Sequence, residues 1–527
     1  MASTPPGSPS EASSLFFGDA RACKAWLNSL AVSNVAQTQS AVLDALRVFN
    51  RAAFAPLERL KCLELLRDRV SFMLGEQRTR QFAKPLPISA QDGAAWTTGR
   101  TVLEEMETGY RRCLTEPELQ PHFAIITHRT IRYIGAQMLL HAIVYRRFDP
   151  ALWMRLHQQF AGAEKAGLAS ERVKDSLDSE GGASNVTEAY AQAVLLQAAG
   201  LHEMSPPQVQ FVEALLKLWG RKVKVLDHAP AESTASILPL VVDLARAQGA
   251  EPRPRDALGA SQRVLDVEGL SRSMRRRIRA LQSGEDVATL GLPAAATGVD
   301  PLNALQRLLK RWCEPASPEP AGQAPAEAVA GLVFGLASSH FFLSGGKAFE
   351  QPGKERELTS QEKQDMEVFG RVTERTQSMM VPAGQSYTVE PWDAIEEAPG
   401  ALRLRRRPSA IKGAAVGRLV AVRRGDSAPF HLGMVRALFN EDDGLVMALT
   451  IFPGEPEPIA VRTGNAPWTQ GLALPAIEKL AVAASIVVPG AMAFRGRAIQ
   501  FWAEGAKELK VQDILERGAD FDRVTVA

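Results

Sequence analysis

Two arginines four positions apart, Arg371 and Arg375 in "RVTERTQSMM", are the side chains of this 527-residue sequence best suited to hold an anionic ligand. A guanidinium group can pair with a phosphate through two hydrogen bonds and can stack on a planar base, which lysine does less well. The same R-x-x-x-R spacing recurs elsewhere, for example at Arg272 and Arg276. The pair is therefore informative only through its position, just upstream of a series of short β-like segments.

A second group of cationic side chains follows the acidic segment "IEEAPG". Between Glu397 and Asp426 there is no acidic residue, and the basic residues are Arg403, Arg405, Arg406, Arg407, Lys412, Arg418, Arg423 and Arg424. Because the whole chain carries a net charge of only +2, a positive face would be local. It could attract a dinucleotide, a nucleic acid or an acidic partner. A solvated basic strand edge explains the stretch equally well, and the absence of interleaved aromatics disfavours a single-strand-binding surface.

No pattern in the sequence indicates catalysis, a metal or a cofactor. The histidines His122, His128 and His141 lack metal-ligand spacing, and no nucleophile motif of the G-x-S-x-G type occurs. "LSGGK" lacks the frame of a phosphate-binding loop, so we interpret its glycines as a helix stop. Four widely spaced cysteines are typical of reduced thiols in a cytosolic protein: Cys23, Cys62, Cys113 and Cys313.

Helical periodicity dominates residues 15–313 and predicts a body of helix hairpins. The big–small–big spacing in "ALWMRLHQQFAGAEKAGL" is typical of tetratricopeptide-type helices, although no strict period recurs. For residues 229–264 the pattern leaves strand and helix both open. The sequence "MASTPPGSPSEASS" (1–14) predicts a disordered tail and has no secretory signal pattern.

The region after the helical body changes in composition and then in periodicity. Residues 314–327 are rich in Pro and Ala and predict a linker, and the uncharged run that follows predicts a buried helix within a helical connector, 328–365. Short β-like runs separated by Gly, Pro and Asp then predict an antiparallel barrel over 366–470 and a β-rich extension over 471–527. Asp443–Gly444 predicts a hairpin. The expected fold class is α+β, with a mainly α-helical N-terminal body and a C-terminal barrel.

The order of motifs over about 370–465 resembles a PilZ-type domain, the barrel module with which many bacteria bind cyclic di-GMP. The resemblance rests on R-x-x-x-R, "IEEAPG", "ALRL" and the strands "VGRLVAVR", "FHLGMVRAL" and "GLVMALTIF". The helical part, including "RVSFMLGEQ" and "GYRRCL", also resembles long proteobacterial proteins that end in a PilZ-related domain. The resemblance implies an antiparallel barrel whose ligand-binding R-x-x-x-R lies just before the first strand.

The resemblance also implies a set of ligand-binding residues. Arg371 and Arg375 match the family's R-x-x-x-R in type, spacing and position. The second family motif, D/N-x-S-x-x-G, is poorly kept: aligned on Gly400, Glu397 stands at the serine position and Ile395 at the Asp/Asn position. A carboxylate close to a dianionic ligand costs on the order of 1 kcal/mol unless an arginine screens it. The complete candidate set is Arg371, Arg375, Glu397, Gly400, Arg403, Arg405 and Arg407.

Together these features predict a non-enzymatic, cytoplasmic bacterial signalling adaptor without a membrane span. It would bind cyclic di-GMP through the barrel and an unidentified protein partner through the helical body. Two alternatives remain open at this point. One is a ligand-independent scaffold with a degenerate barrel, and the other is a nucleic-acid-associated regulator that uses residues 403–424.

Overall fold

The structure is a computed structural model that divides into two compact units. Unit 1 comprises residues 1–84, 88–201 and 206–317, and unit 2 comprises residues 85–87, 202–205 and 318–527. The structure describes residues 15–30, 34–82, 86–177, 182–228, 240–252, 258–314, 322–325, 328–353, 360–369, 387–408, 414–425, 428–441, 443–502 and 505–527. The predicted tail, 1–14, lies outside these described residues.

The described part of unit 1 is mainly helical. Its α-helices are α1 (Ala20–Ser29), α2 (Val35–Arg51), α3 (Pro56–Phe82), α4 (Ala90–Cys113), α5 (Phe123–Ala142), α6 (Ala151–Lys165), α7 (Val186–Ala198), α8 (Pro206–Trp219), α9 (Glu268–Gln282) and α10 (Pro301–Cys313). Its strands are β1 (Val173–Lys174), β2 (Ala183–Ser184), β3 (Lys224–Leu226), β4 (Leu240–Asp243), β5 (Glu251–Pro252) and β6 (Gln262–Asp266). The described strands β3 to β6 form an antiparallel sheet in the order β3-β6-β4-β5. Within the ambiguous stretch 229–264, residues 240–243, 251–252 and 262–264 are therefore strand, whereas 229–239 and 253–257 lie outside the described residues.

Side-chain hydrogen bonds fix the ends and the crossings of these helices. Asn185 caps α7, since its side-chain oxygen accepts a hydrogen bond from the backbone N–H of Glu188 at 2.8 Å. The fully buried Trp312 of α10 donates its indole N–H to the carbonyl of Leu195 in α7 at 2.9 Å. Because its indole N–H has a hydrogen-bond partner, the buried tryptophan adds apolar contact without leaving an unsatisfied polar group. Helix α7 is therefore a central element of unit 1, in contact with α5, α6, α8 and α10.

The described part of unit 2 contains two closed antiparallel barrels. Barrel 1 has the strand order β10-β11-β12-β9-β8-β7, and barrel 2 has the order β13-β14-β15-β18-β17-β16. The strands of barrel 1 are β7 (Val329–Phe334), β8 (Glu390–Ala398), β9 (Ala401–Arg406), β10 (Leu419–Arg424), β11 (His431–Glu441) and β12 (Gly444–Ile451). Those of barrel 2 are β13 (Glu457–Arg462), β14 (Thr469–Leu474), β15 (Ser485–Pro489), β16 (Ala498–Trp502), β17 (Ala506–Arg517) and β18 (Phe521–Val526). Helices α11 (Leu336–Leu343) and α12 (Ser360–Phe369) also belong to unit 2.

The two barrels share one hydrophobic core. Leu419 and Phe452 from the barrel 1 region pack in the same cluster as Leu472 and Phe521 from barrel 2. The Phe452 and Phe521 rings lie 5.9 Å apart, and the N–H of Leu419 donates to Oδ1 of Asp520 at 2.9 Å. The barrels are therefore packed as one body rather than joined as separate modules.

The predicted α+β class is confirmed, because helices dominate the N-terminal half and antiparallel barrels the C-terminal half. The predicted hairpin also forms, with Glu441 opposite Gly444 at the turn between β11 and β12. The helix stop at "LSGGK" forms as well: α11 ends at Leu343, and Gly345 and Gly346 have positive φ.

The division of the C-terminal region differs from the expectation. The predicted helical connector, 328–365, is wrong at its start, because residues 329–334 form β7, which pairs with β8 and β10 in barrel 1. Likewise, residues 471–527 are not an appendage to one barrel, since β14 to β18 close barrel 2 together with β13. An uncharged run buried on both faces looks the same in sequence whether it forms a strand or a helix, and only the pairing partners distinguish the two.

The shared core predicts that Phe521→Ala destabilises both barrels together. Removing this fully buried ring from the cluster should lower the free energy of unfolding by about 3–5 kcal/mol. Chemical denaturation measures the loss. Leu480→Ala is the control, because Leu480 is 65% exposed in barrel 2 and its truncation should change stability by less than about 0.5 kcal/mol. Equal effects of the two changes would contradict a shared core.

Candidate functional site

The turn between β8 and β9 places the glycine of the candidate site. Ala398 pairs with Ala401 across this turn, and Gly400 has a φ of +72°. A side chain at that φ would be strained, so glycine is the residue that the turn requires. The carbonyl of Gly400 accepts a hydrogen bond from the N–H of Ile451 at 2.8 Å, which ties the turn to the end of β12.

Strand β9 presents arginines on the outside of barrel 1. Leu402 and Leu404 are buried, whereas Arg403 and Arg405 alternate with them and are half-exposed. A register shift in β8 between Ala394 and Glu396 sets Glu396 opposite Arg403. The alternation and this bulge together decide which charges face each other across the strands.

Each of the described arginines in the candidate set has a carboxylate partner. Arg403 lies 3.4 Å from Glu396 and 3.8 Å from Glu441. Arg405 forms an ion pair with Asp443 at 2.9 Å, and Arg407 forms one with Asp393 at 2.6 Å. The described arginines of the candidate set are therefore neutralised by carboxylates that lie outside residues 403–424 in the sequence. Lys412 of the expected positive face lies outside the described residues.

Glu397 is also paired. Its Oε1 forms an ion pair with Nη1 of Arg424, and its backbone exchanges two hydrogen bonds with Gln323, at 2.7 and 2.9 Å. The structure thus brings the described candidate residues together: Glu397 lies on β8, Gly400 in the β8–β9 turn, Arg403 and Arg405 on β9, and Arg407 directly after β9. Arg371 and Arg375 lie outside the described residues, as do 315–321 and 326–327 of the expected linker.

A second concentration of charge lies inside unit 1, where sequence reasoning had placed no site. Asp175, which follows β1, sits between Arg67 of α3 and Arg129 of α5. Its carboxylate forms an ion pair with Arg67 and lies 3.2 Å from Nη1 of Arg129. Both arginines also contact Glu64, at 2.9 and 3.3 Å. The side chains of Arg67, Arg129 and Asp175 are at most 4% exposed, so this is a buried ion cluster.

The electrostatics of this cluster follow from burial and from its opposite charges. Burial alone would raise the pKa of Asp175, but the charges of Arg129 and Arg67 outweigh it and lower that pKa to about 2. Burial, assisted by the charges of Arg132 and Arg129, lowers the pKa of the neighbouring His128 to about 3. The carboxylate is therefore ionised and the imidazole neutral at neutral pH.

The ion cluster forms part of the wall of a cavity of about 340 Å³ in unit 1. Side chains from α3, α4, α5, α7 and α8 line this cavity. Its less buried part carries Arg78, Arg132, Gln192, Glu213 and Lys217, and its remaining wall is mostly apolar. Arg78 pairs with Glu213 at 2.7 Å, and Arg132 donates to Oε1 of Gln192 at 2.8 Å.

One signal in the sequence could have indicated this cluster. Helix α5 is buried on nearly all of its faces, yet it carries Arg129 and Arg132. A charged side chain in such a helix must find partners, because an unpaired buried charge is very costly. The sequence does not indicate which residues are those partners, since Asp175 is 46 positions away from Arg129.

Several other features offer no chemistry of their own. Within the described residues, no group of three His, Cys, Asp or Glu side chains is arranged to hold a metal ion. His141 is buried and its Nδ1 lies 2.8 Å from the carbonyl of Gln137, so it is satisfied within its own helix. In the ranges that the structure describes, none of the helices combines the length and apolar character needed to cross a bilayer.

Comparison with known proteins gives two related matches. Residues 21–231 match a family model described as the N-terminal domain of the cyclic-di-GMP receptor FimW. The chain is also similar to the cyclic-di-GMP receptor FimW of Pseudomonas aeruginosa, with 21% identity over 336 residues, which is 62% of this chain and 54% of that relative. The chain thus spans about half the length of the curated relative it matches. No solved structure matches it.

The lowered pKa of His128 predicts a loss of stability on acidification. Between its ordinary value of 6.5 and its folded value of about 3, the unfolded chain binds a proton that the folded chain does not. The free energy of unfolding should therefore fall as pH decreases below 6.5, by up to about 1.4 kcal/mol per pH unit from this group. Urea unfolding followed by circular dichroism at pH 7 and pH 5 measures the fall.

His128→Gln should make that pH dependence shallower, because glutamine does not titrate and retains an acceptor for Arg129. His122→Gln is the matched control, since His122 is an exposed histidine directly before α5 and its replacement should keep the wild-type dependence. A wild-type dependence preserved in His128→Gln would contradict the assignment to this histidine.

Proposed function

We propose that this chain is a non-enzymatic bacterial signalling adaptor that binds cyclic di-GMP. The observation that carries the proposal is the similarity, over 336 residues, to a protein described as a cyclic-di-GMP receptor, together with the match of residues 21–231 to the N-terminal domain of that receptor. A receptor relative argues for binding rather than catalysis. Cyclic di-GMP is a bacterial cytoplasmic second messenger, so the adaptor would act in the cytoplasm.

The ligand would lie on barrel 1, next to Gly400 and the arginines of β9. Two features of the described residues support this placement. Arg403 and Arg405 stand on one outer face of β9, so their guanidinium groups can approach one dianionic ligand together. Their ion pairs are also partly exposed, with side-chain exposures of 32–37% for the arginines, and such pairs are worth about 0–1 kcal/mol each. A phosphate can therefore replace the carboxylates at little cost.

Arg371 and Arg375 would complete the site from the segment that precedes β8. In the PilZ-type arrangement, the guanidinium groups of the R-x-x-x-R motif pair with phosphate and stack on guanine. Glu397 would then face the ligand from the serine position of the second motif. Its ion pair with Arg424 offsets its negative charge, which removes part of the repulsion expected from the sequence alone. The helical unit would bind the protein partner that receives the signal.

A ligand-independent scaffold is the second candidate function. One observation favours it: every described arginine of the site already has a carboxylate partner, as a structural ion-pair network would. The same pairs weaken the third reading, a nucleic-acid-associated regulator, because they reduce the positive potential that such a surface needs. The titrations below distinguish the receptor from the scaffold.

The first prediction for the receptor concerns the R-x-x-x-R arginines. Isothermal titration of the full chain should detect cyclic di-GMP, and Arg371→Ala/Arg375→Ala should weaken binding by more than about 100-fold, because two charged hydrogen-bonding groups are lost. Arg272→Ala/Arg276→Ala is the matched control, with the same spacing on α9 and no expected effect on affinity. If the wild type shows neither binding heat nor thermal stabilisation at high ligand excess, the ligand-independent scaffold is the better description of this chain.

The second prediction concerns the carboxylate at the position of the family's serine. Glu397→Gln removes the negative charge and releases Arg424 for the ligand, so affinity for cyclic di-GMP should rise by about 5–10-fold, or about 1 kcal/mol. Glu457→Gln, an exposed position on β13, should leave the affinity unchanged. A weaker affinity in Glu397→Gln would mean that Glu397 binds the ligand directly, through the guanine edge.

A further inference from the structure

The cavity in unit 1 is not used by the proposed function. All of its lining residues fall between Arg67 and Lys217, in the helical unit. Its volume of about 340 Å³ is at the lower end of the range of about 300–1,000 Å³ that small-molecule sites occupy. The cavity is partly open to solvent, because Ser71 and Gly75 in its lining are exposed, so a small molecule can enter it from solution. A cavity of this size with a charged and an apolar lining is a candidate ligand site.

Small side chains keep the cavity open where the helices meet. Ala136 of α5 and Ala189 and Ala193 of α7 line it together with Gly135 and Gly75. A methyl group added at Gly75 would meet nothing within 4 Å, and one added at Gly135 would touch Ala193 at 3.4 Å. The space is therefore bounded by residues that could have been larger without leaving the helical conformation.

The charge of the lining favours an anion. Among the described residues, the lining carries the cations Arg67, Arg78, Arg129, Arg132 and Lys217 against the carboxylates Asp175 and Glu213. Counting Glu64, which contacts Arg67 and Arg129, leaves an excess of two positive charges in and around the cavity. An excess of this size matches the charge of a dianionic group.

Arg132 is the group that points to a ligand. Its guanidinium has one hydrogen-bond partner among the described residues, the neutral Oε1 of Gln192, and no carboxylate there. Burial would raise the pKa of Glu213, but the charges of Arg78, Lys217 and Arg132 outweigh it and lower that pKa to about 2. Arg132 thus lies near the same carboxylate as Arg78 and Lys217, and its half-exposed guanidinium has further N–H donors that a ligand can use.

The rest of the lining fits an organic body. Leu139, Leu196 and Leu216 are among the apolar wall residues, and Tyr133 adds an aromatic ring. Tyr133 is held in place by stacking on Tyr110, with ring centroids 5.8 Å apart and an interplanar angle of 24°. Apolar walls with one cationic end suit a molecule that has a flat apolar part and one compact anionic group.

We propose that this cavity binds a small organic phosphate monoester of about mononucleotide size, through Arg132 with Arg78 and Lys217. A phosphate monoester carries close to two negative charges at neutral pH and offers three acceptor oxygens, which matches the charge excess and the N–H donors of the lining. Arg67, Arg129 and Asp175 act as positioning residues, because they hold α3 and α5 at the spacing that leaves the cavity open. A cyclic dinucleotide is roughly twice the size and lacks the monoester.

Isothermal titration of the full chain with GMP and AMP, with cyclic di-GMP in a parallel arm, tests this site. We expect at least one monophosphate to bind and Arg132→Ala to weaken its binding by about tenfold or more. Ala136→Leu should also weaken monophosphate binding, because the larger side chain fills the cavity while every charge stays in place. Arg47→Ala, an exposed arginine on α2, is the matched control and should bind as the wild type does.

The outcomes separate this site from the receptor function. Monophosphate binding that persists in Arg371→Ala/Arg375→Ala but is lost in both cavity variants would establish a second, independent site. Binding that is unchanged in Arg132→Ala and Ala136→Leu, or no heat and no thermal shift with any monophosphate at millimolar concentration, would overturn the proposal. Cyclic di-GMP binding that is weakened by these two variants, without monophosphate binding, would overturn the ligand class and move the receptor site into unit 1. Circular dichroism of each variant verifies that the helices remain folded.

Discussion

Asp175, buried between Arg67 and Arg129, is the interaction on which the arrangement of unit 1 depends. Removing ions from water costs several kcal/mol for each ion, and only close pairing and hydrogen bonding compensate for it. Here the compensation comes from three separate segments: α3, α5 and the chain after β1. Because Asp175 is paired with both arginines only when all three segments are in place, the cluster favours one arrangement of these segments over others that would bury the same apolar surface.

The cavity is a consequence of this constraint. The ion cluster fixes how closely α3 and α5 approach, and small residues on α5 and α7 leave the remaining space unfilled. The cationic residues at the less buried part of the cavity are separate from the cluster and are not needed to satisfy it. The buried arginines Arg67 and Arg129 hold the fold, whereas Arg132, whose described partner is the neutral side chain of Gln192, is the cation of the second group that a ligand would bind.

The charges of barrel 1 are stabilised differently from those of the buried cluster. Its arginines lie on the outer surface of the barrel, where both water and neighbouring carboxylates stabilise them. Such pairs contribute little to stability and exchange easily, so a face of this kind can change partners without unfolding the barrel. The core that barrel 1 shares with barrel 2 makes the two barrels one body, which could transmit a change at the β8–β9 turn over a longer distance than a single barrel could.

Local patterns in the sequence determined much of the fold. Apolar periodicity indicated the helices of unit 1, and Asp443–Gly444 indicated a hairpin, because each of these signals lies within a few residues of the chain. What only the tertiary structure decided was which distant residues meet: the pairing of β7 with β8 and β10, the closure of a second barrel, and the carboxylates opposite each arginine. Partners far apart in sequence are selected by the packing of whole elements, and no local pattern encodes that choice.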